Sequence, residues 1–187
     1  MVKRINTCVF ISGYGSNLKS IINSTRDYQF PIKIKLVISN SSNAFGLKYA
    51  KKYNIPFKFF SSKNKNFFER NCLLELRKQN IKFLCLAGFM KILSKRFIKD
   101  FKYKIINIHP SLLPKFKGLN THKRVLEHKE TYTGCTVHYV TPTLDSGNII
   151  LQKKILIKEN ETKYSLKKRV LKQEHLIYPK AIRSIFQ

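Results

Sequence analysis

Four short apolar runs separated by helical stretches limit this chain to an α/β architecture. Each run has the length and apolar character of a buried strand. Because parallel strands need long crossover connections, the helical segments between the runs predict parallel pairing with right-handed connections. We therefore expect a three-layer α/β fold with a mostly parallel, Rossmann-like sheet. The runs are Ile5 to Ile11, Ile32 to Ser39, Phe83 to Ala87 and Ile105 to Ile108.

The pattern changes after Pro110, where two further strands suit an antiparallel addition to the sheet. Thr162 begins a last helix that runs to about Phe186, and Pro179 is expected to kink or divide it. The other predicted elements are helices over Ala44 to Tyr53, Asn64 to Gln79 and Val125 to His128, a loop over Ser111 to Arg124, and strands over Pro56 to Phe60, Gly134 to Val140 and Ile149 to Ile157.

Length and composition favour one domain without a membrane span. A chain of 187 residues, 43% of them hydrophobic, is long enough for one core, so we expect a single domain over residues 1–187. No apolar run approaches the roughly 18 residues of a membrane span. The basic pair Lys3 and Arg4 precedes an apolar run that leads into a glycine-rich turn, not a cleavage site. We therefore expect no signal peptide and a cytoplasmic location.

The formal net charge of +27 suggests nucleic-acid binding, but the distribution of the lysines argues against a specific interaction. Lysines alternate with Asn, Ile and Phe along most of the chain, and no nucleic-acid-binding motif is present. A basic nucleic-acid-binding module is therefore the weaker alternative, and any such binding should be weak and salt-sensitive. The charge still favours anionic small molecules as ligands.

The spacing of cysteines and histidines gives no sign of a metal site. No C-x-x-C or H-E-x-x-H spacing occurs, and two of the cysteines lie within apolar runs. We expect buried, reduced thiols and no metal. The residues concerned are Cys8, Cys72, Cys85 and Cys135, with His109, His122, His128, His138 and His175.

A glycine-rich turn from Ser12 to Asn17 (SGYGSN) follows the first strand and opens a helix. Glycine lets the backbone approach a ligand, and the free N–H groups and dipole of a helix N-terminus attract an anion. The spacing lacks the third glycine of a dinucleotide-binding turn, so it predicts a site for a single phosphate, with Ser16 and Asn17 as additional donors. The alternative is a tight turn in which Ser16 or Asn17 only caps the helix.

Asn107 and His109 lie at the end of the fourth apolar run. On a strand their side chains point to the same face, and Pro110 ends the strand directly afterwards. Open α/β sheets bind ligands at such strand ends. The alternative is a core pair whose hydrogen bonds are satisfied internally. Asp145, the acid in the turn-rich stretch 141–147, is by itself typical of a turn.

Together, Asn107, His109 and Asp145 suit acyl transfer. An amide and a protonated imidazole are donors for the oxyanion of such a reaction, and a nearby carboxylate favours the charged imidazole and helps to move protons. No serine or cysteine is evidently coupled to a base, so direct attack by a substrate amine is favoured over a covalent enzyme.

The stretch Met90 to Leu93 is either plain core or the wall of an apolar pocket.

Four motifs resemble those of the phosphoribosylglycinamide formyltransferases, folate-dependent transferases of purine (IMP) biosynthesis. ISGYGSNL at 11–18 is similar to the family's phosphate loop, LAGFMKIL at 86–93 to its folate-pocket segment, and GCTVHYVTPTLDSG at 134–147 to the loop with its catalytic acid. NIHPSLLP at 107–114 is the signature of the wider formyltransferase superfamily. The resemblance covers essentially the whole chain, with Tyr14 where a polar residue is commoner and Lys65 and Lys91 where arginine is usual.

The resemblance implies a formyltransferase fold and transfer of a formyl group from 10-formyltetrahydrofolate, as co-substrate, to the amine of phosphoribosylglycinamide. It implies that Asn107 contacts the formyl oxygen, that His109 donates a proton, and that Asp145 keeps His109 protonated. The implied contacts to phosphoribosylglycinamide are Gly15, Ser16, Asn17 and Glu174, and those to the folate are Lys65, Met90, Lys91, Ile92, Leu93 and Asn107.

Two other classes of the superfamily share the signature. Methionyl-tRNA formyltransferases carry a C-terminal tRNA-binding domain and formyltetrahydrofolate deformylases usually an N-terminal regulatory domain, and we expect neither here. We expect small-molecule substrates as partners, no specific nucleic acid, no membrane, and a monomer or weak homodimer in the cytoplasm.

Overall fold

Seven strands form one sheet in the computed structural model, which describes residues 4–187. The predicted domain of 1–187 also includes residues 1–3, and with them Lys3 of the N-terminal basic pair, which lie outside the described residues. In chain order the strands are β1 (Ile5–Ile11), β2 (Ile32–Ser39), β3 (Phe57–Phe59), β4 (Phe83–Leu86), β5 (Ile105–His109), β6 (Tyr132–Tyr139) and β7 (Ile149–Leu156).

The pairing of the strands confirms the predicted fold class. The order across the sheet is β3-β2-β1-β4-β5-β6-β7. Strands β1 to β5 pair in parallel, whereas β6 pairs antiparallel with both β5 and β7. The order reverses between β1 and β4, which is where an open α/β sheet forms its ligand-binding crevice.

Helices cover both faces of the sheet. In chain order they are α1 (Ser16–Ser24), α2 (Gly46–Lys52), α3 (Lys65–Lys78), α4 (Lys95–Phe101), α5 (Thr121–Glu127) and α6 (Lys163–Phe186). Apolar residues of α1, α2, α5 and α6 pack on one face, and those of α3 and α4 pack on the other.

The alternating side chains of β1 show how the sequence produces a hydrophobic core on each face of the sheet. Val9 and Ile11 pack with α1 and α6, while Cys8 and Phe10 pack with α3 and α4. Successive strand residues point to opposite faces, so a central strand that is apolar throughout must be covered on both sides. Burial of apolar surface on both faces is the main favourable contribution to the fold.

Two short helices mark the limits of the sequence pattern. Helix α4 lies between β4 and β5, in an interval for which the pattern identified no particular helical residues; its N-cap, Ser94, accepts a hydrogen bond from the Phe97 N–H at 3.0 Å. Helix α5 begins at Thr121, so the predicted loop over Ser111 to Arg124 was wrong in its last part. Both helices have seven residues, about two turns, and an apolar period is weak over so short a segment, although α2 of the same length was predicted.

Pro179 was expected to kink or divide the last helix, and a division is wrong, because α6 runs without a break from Lys163 to Phe186. Proline has no N–H to donate to the carbonyl four residues earlier, which here belongs to His175. The Ser20 hydroxyl of α1 donates to that carbonyl at 2.6 Å. A side chain of the neighbouring helix thus replaces the missing hydrogen bond.

The four cysteines are free and buried, as the sequence indicated. No helix in the described part of the chain combines the length and the apolar composition needed to cross a bilayer. Among residues 4–187, no group of three or more His, Cys, Asp or Glu side chains is arranged to hold a metal ion.

Candidate active site

His109 and Asp145, separated by 36 positions in sequence, meet at the carboxyl end of β5. The His109 Nδ1 lies 3.3 Å from the Asp145 Oδ2, and both side chains are largely buried. In such a dry environment the attraction between a carboxylate and an imidazolium is stronger than at the surface. The structure therefore brings together two of the three residues that the sequence singled out for catalysis.

The second ring nitrogen of His109 also faces an acceptor. Its Nε2 lies 2.9 Å from the backbone carbonyl of Phe116. A neutral imidazole has one N–H, whereas the imidazolium has two. Because a carbonyl and a carboxylate both accept hydrogen bonds, only the protonated ring satisfies both contacts. The surroundings of His109 thus favour its charged form.

His138, on β6, completes the group and was not identified as functional from the sequence. Its Nδ1 donates to the Tyr139 carbonyl at 2.8 Å, and its Nε2 accepts from the Asn107 amide nitrogen at 3.2 Å. The same Nε2 lies 3.6 Å from the Asp145 Oδ1. Burial lowers the pKa of His138 below its ordinary value, and His109 and Lys117 lower it further, against the opposing effects of the Tyr139 hydrogen bond and of Asp145.

The register of the sheet explains why His138 belongs to the site. Strands β5 and β6 pair antiparallel with Asn107 opposite His138 and His109 opposite Thr136. Residues directly opposite one another share a face of the sheet and contact each other. A sequence signal for His138 existed, since it lies within the resembling motif, but its use required the register of the two strands.

Asp145 is held by the backbone of two loops. Its φ of 45° is left-handed, a conformation that Asp tolerates better than most residues. Its Oδ2 accepts a hydrogen bond from the Gly118 N–H at 2.9 Å. This bond ties the loop after β6 to the loop after β5 and fixes the carboxylate beside the two histidines.

The glycine turn has the geometry expected of an anion site. Gly15, with a φ of 71°, precedes the first residue of α1, and no side chain caps that helix among the described residues. A Cβ on Gly15 would lie 2.5 Å from the Gly46 Cα, so the close approach of α2 excludes any other residue. The alternative that Ser16 or Asn17 caps the helix is wrong, and the first N–H groups remain available to a ligand.

Asn17 has a different contact from the one the sequence suggested. Its amide nitrogen donates to the Glu174 Oε2 at 2.6 Å, and its Oδ1 is buried with no partner among the described residues. Burial raises the pKa of Glu174 to about 6, although the Asn17 hydrogen bond and Lys167 oppose this shift. With one amide N–H engaged by Glu174, the second amide N–H and the backbone N–H of Asn17 remain for a phosphate contact.

Apart from Asn107 on β5, the residues assigned to the folate by resemblance lie at the start of α3 and in the segment after β4. Lys65 is the first residue of α3 and is exposed. Met90 is 70% exposed and Ile92 is 58% exposed, with Lys91 exposed between them. Leu93 is 5% exposed and packs into the core formed with α3 and α4. Met90 and Ile92 therefore offer apolar surface to a ligand, whereas Leu93 offers mainly its backbone.

Comparisons with known proteins show that the chain is similar to formyltransferases. The profile of the formyl transferase family matches residues 5–182. The phosphoribosylglycinamide formyltransferase of Haemophilus influenzae is 41% identical over 181 residues, which cover 94% of this chain and 84% of that enzyme. A solved phosphoribosylglycinamide formyltransferase from Anaplasma phagocytophilum is 40% identical with a TM-score of 0.93, covering 98% of this chain and 87% of that one.

A human relative is a much larger protein. The trifunctional purine biosynthetic protein adenosine-3 of Homo sapiens is 42% identical over 186 residues, which cover 98% of this chain but 18% of that protein. This chain thus spans less than a fifth of that relative. The family profile nevertheless extends over nearly all of the chain, and the Haemophilus influenzae relative is similar in length. The chain belongs to the formyl transferase family.

Proposed function

We propose that this protein transfers the formyl group of 10-formyltetrahydrofolate to the amine of phosphoribosylglycinamide, a step of purine (IMP) biosynthesis. The observation that carries the proposal is the group of Asn107, His109, His138 and Asp145 at the end of a buried strand. The choice of substrates is supported by relatives named phosphoribosylglycinamide formyltransferase that the chain covers for most of their length.

In the proposed reaction, the amine forms a bond to the formyl carbon, and the bond from that carbon to the folate nitrogen breaks. Negative charge develops on the formyl oxygen and requires donors. Asn107 uses one amide N–H for His138, and we assign the other to this oxygen. The hydrogen bond to His138 fixes the orientation of the amide, so that no reorganisation is needed during the reaction.

We assign proton donation to His109. The attacking amine loses one proton and the departing folate nitrogen gains one, so the reaction needs a group that can release and recover a proton. The carboxylate of Asp145, 3.3 Å from the His109 Nδ1, stabilises the imidazolium that makes this possible. Asp145 also provides an acceptor through which the proton of the amine can return by way of water.

The two substrates are assigned to the two ends of the crevice. Gly15, Ser16 and Asn17 provide backbone N–H groups at the start of α1 for the phosphate, and Glu174 provides a buried acceptor for a polar group of the same substrate. The folate is assigned to the exposed apolar surface of Met90 and Ile92, with Leu93 contributing backbone groups. Lys65 and Lys91 are exposed cations suited to its carboxylates.

An assay of the purified protein with phosphoribosylglycinamide, methionyl-tRNA and water as formyl acceptors tests the proposal. With 10-formyltetrahydrofolate as donor, we expect formylation of phosphoribosylglycinamide, none of methionyl-tRNA, and little release of free formate. Formate release as the main reaction would identify a deformylase, and formylation of methionyl-tRNA would identify a different acceptor. Absence of all three activities would overturn the assignment of the substrates.

The remaining expectations belong to the same proposal. The protein binds small molecules as partners and needs no specific nucleic acid. It lies in the cytoplasm and acts as a monomer or weak homodimer without a metal. Activity that survives a chelator and a sedimentation profile of monomer with little dimer are the expected results. Nucleic-acid binding that persists at about 200 mM salt would contradict this account of the charge.

A further inference from the structure

Ser12, the residue after β1, joins three strand ends through its backbone and its hydroxyl group. Its N–H donates to the Gly88 carbonyl at 3.2 Å. Its Oγ accepts from the Met90 N–H at 2.8 Å and donates to the Asn40 Oδ1 at 2.7 Å. Ser12 therefore links the start of the glycine turn to the segment that follows β4, across the place where the strand order reverses.

The hydrogen bonds continue along the same edge of the sheet. The amide nitrogen of Asn40, the residue after β2, donates to the Ser62 Oγ at 3.1 Å. Ser62 lies beyond β3, three residues before α3 begins. Hydrogen-bonded polar side chains thus lie along the carboxyl ends of four neighbouring parallel strands. The last of them, Ser12, accepts the hydrogen bond from the Met90 N–H.

The segment 89–93 depends on this hydrogen bond more than on any other polar contact. In the described part of the chain, the hydrogen bond from Met90 to Ser12 is the one hydrogen bond that residues 89–93 make. The Phe89 ring packs against Phe10 and Phe68, and Leu93 is buried, but Met90, Lys91 and Ile92 between them are exposed. Without the Ser12 hydroxyl, the packing of Phe89 and Leu93 would still hold the two ends of this segment, but its backbone would lose the hydrogen bond at Met90.

We propose that Ser12 is a positioning residue that holds the backbone at Met90 in the conformation that binds the folate. The proposal rests on the proposed function, since it concerns the folate segment of that site. Ser12 acts through Met90, while the phosphate is bound by Gly15 to Asn17 on the other side of the turn. The specific consequence is that Ser12 affects the folate and leaves the binding of phosphoribosylglycinamide largely unchanged.

The expected effect follows from the loss of one hydrogen bond. Ser12→Ala should raise the KM for 10-formyltetrahydrofolate about 3- to 10-fold, the scale of a neutral hydrogen bond, with kcat and the KM for phosphoribosylglycinamide nearly unchanged. Ser12→Thr keeps the hydroxyl and should restore the folate KM. Asn40→Ala removes the acceptor that orients the Ser12 hydroxyl and the hydrogen bond to Ser62, but it keeps the Ser12 acceptor of the Met90 N–H, so its effect on the folate KM should be smaller.

Amide hydrogen exchange followed by NMR tests the contact without an assay. In Ser12→Ala the Met90 amide should exchange roughly tenfold faster or more than in the unmodified protein, because its acceptor is lost. Ser24→Ala is the matched control, since the Ser24 hydroxyl bonds only the Ser20 carbonyl within α1 among the described residues. That variant should change neither the exchange of Met90 nor the folate KM.

The outcomes separate this inference from the proposed function. An unmodified protein that formylates phosphoribosylglycinamide, with a Ser12→Ala variant whose folate KM and Met90 exchange are unchanged, would overturn the role of Ser12 alone. Equal rises in both KM values, without rescue by Ser12→Thr, would also overturn it by indicating a general loss of structure. An inactive unmodified protein would overturn the proposed function, and Met90 exchange would still decide whether Ser12 fixes the segment.

Discussion

His109 and His138 lie beside the same carboxylate, yet their surroundings favour opposite protonation states. The two ring nitrogens of His109 face the Asp145 carboxylate and the Phe116 carbonyl, which are both acceptors. The nitrogens of His138 face one acceptor, the Tyr139 carbonyl, and one donor, the Asn107 amide. A charged ring fits the first position and a neutral ring with its proton on Nδ1 fits the second.

The difference shows that the partners of a histidine, more than its distance from an acid, decide its role. Asp145 is within 3.6 Å of both rings. A charged His138 would lose its hydrogen bond from Asn107 and compete with His109 for the carboxylate. A neutral His138 instead orients the amide and leaves the carboxylate to His109. One acid, two histidines and one amide thus form a group in which His109 is suited to donate a proton and the Asn107 amide is held in one orientation.

Removal of the Asp145 charge should have the largest effect. Asp145→Asn keeps the size of the side chain and suits a left-handed backbone equally well. The imidazolium of His109 loses its nearest anion, so we expect kcat to fall about 100-fold, the usual scale for loss of acid–base assistance, with both KM values little changed. Steady-state kinetics with each substrate varied in turn provides the measurement.

Asp100→Asn is the control for this change. Asp100 lies on α4 and pairs with Arg96 on the surface of the protein, so its replacement should leave kcat unaltered. Near-normal kcat in Asp145→Asn would mean that Asp145 only shapes the turn before Gly147. The difference between the two histidines would then have no catalytic consequence.

Loss of the neutral histidine should have an intermediate effect. In His138→Ala the Asn107 amide has no acceptor to fix its orientation, and we expect kcat to fall roughly tenfold, the scale of one oriented hydrogen bond. His138→Gln places an amide oxygen near Asn107 and should recover part of the loss. Equal losses in the two variants, with normal melting curves, would show that the acceptor at this position does not matter.

The smallest effect should appear in stability as a function of pH. Burial lowers the pKa of His138 from its ordinary value of 6.5, and burial together with nearby lysines lowers that of His122 to about 4. Below pH ~6.5 the unfolded chain therefore binds protons that the folded protein does not, so these residues decrease stability as the pH falls. Glu174, whose pKa is raised to about 6, has the opposite effect between about pH 6 and 4.5.

Thermal melting of the unmodified protein and of His138→Gln at pH 7 and pH 5 isolates the contribution of His138. The fall in Tm between the two pH values should be smaller in the variant, by on the order of 2 °C. An identical fall in both proteins would mean that His138 binds its proton equally well in the folded and unfolded states. The inference that burial keeps His138 neutral would then be wrong.

The fold and the position of His109 could be predicted from the sequence because both depend on local patterns. Apolar runs and glycine positions identify β1, β4, β5 and the turn after β1, and the spacing of Asn107 and His109 places both on one face. Asp145 was included only in combination with Asn107 and His109 and through the resemblance, since an acid in a turn has no distinguishing pattern of its own. A helix of seven residues gives only a weak apolar period: α2 was predicted, α5 was predicted only in its last part, and α4 was not predicted.

The contacts that the sequence did not reveal depend on strand register, on backbone atoms or on the packing of helices that are distant in sequence. His138 reaches Asn107 because of the antiparallel register of β5 and β6. The Phe116 carbonyl contacts His109 and the Gly118 N–H contacts Asp145, and main-chain atoms leave no residue-specific signal. Asn17 bonds Glu174 across 157 positions, which redirects a side chain expected to bind the ligand.

The opposite protonation states of the two histidines are the central claim, and ¹⁵N NMR of the imidazole rings near neutral pH tests it most directly. We predict that both nitrogens of His109 carry protons and that His138 carries one, on Nδ1. In Asp145→Asn the His109 ring should become neutral under the same conditions, with the His138 signals little changed. A neutral His109 together with a charged His138 in the unmodified protein would contradict the account.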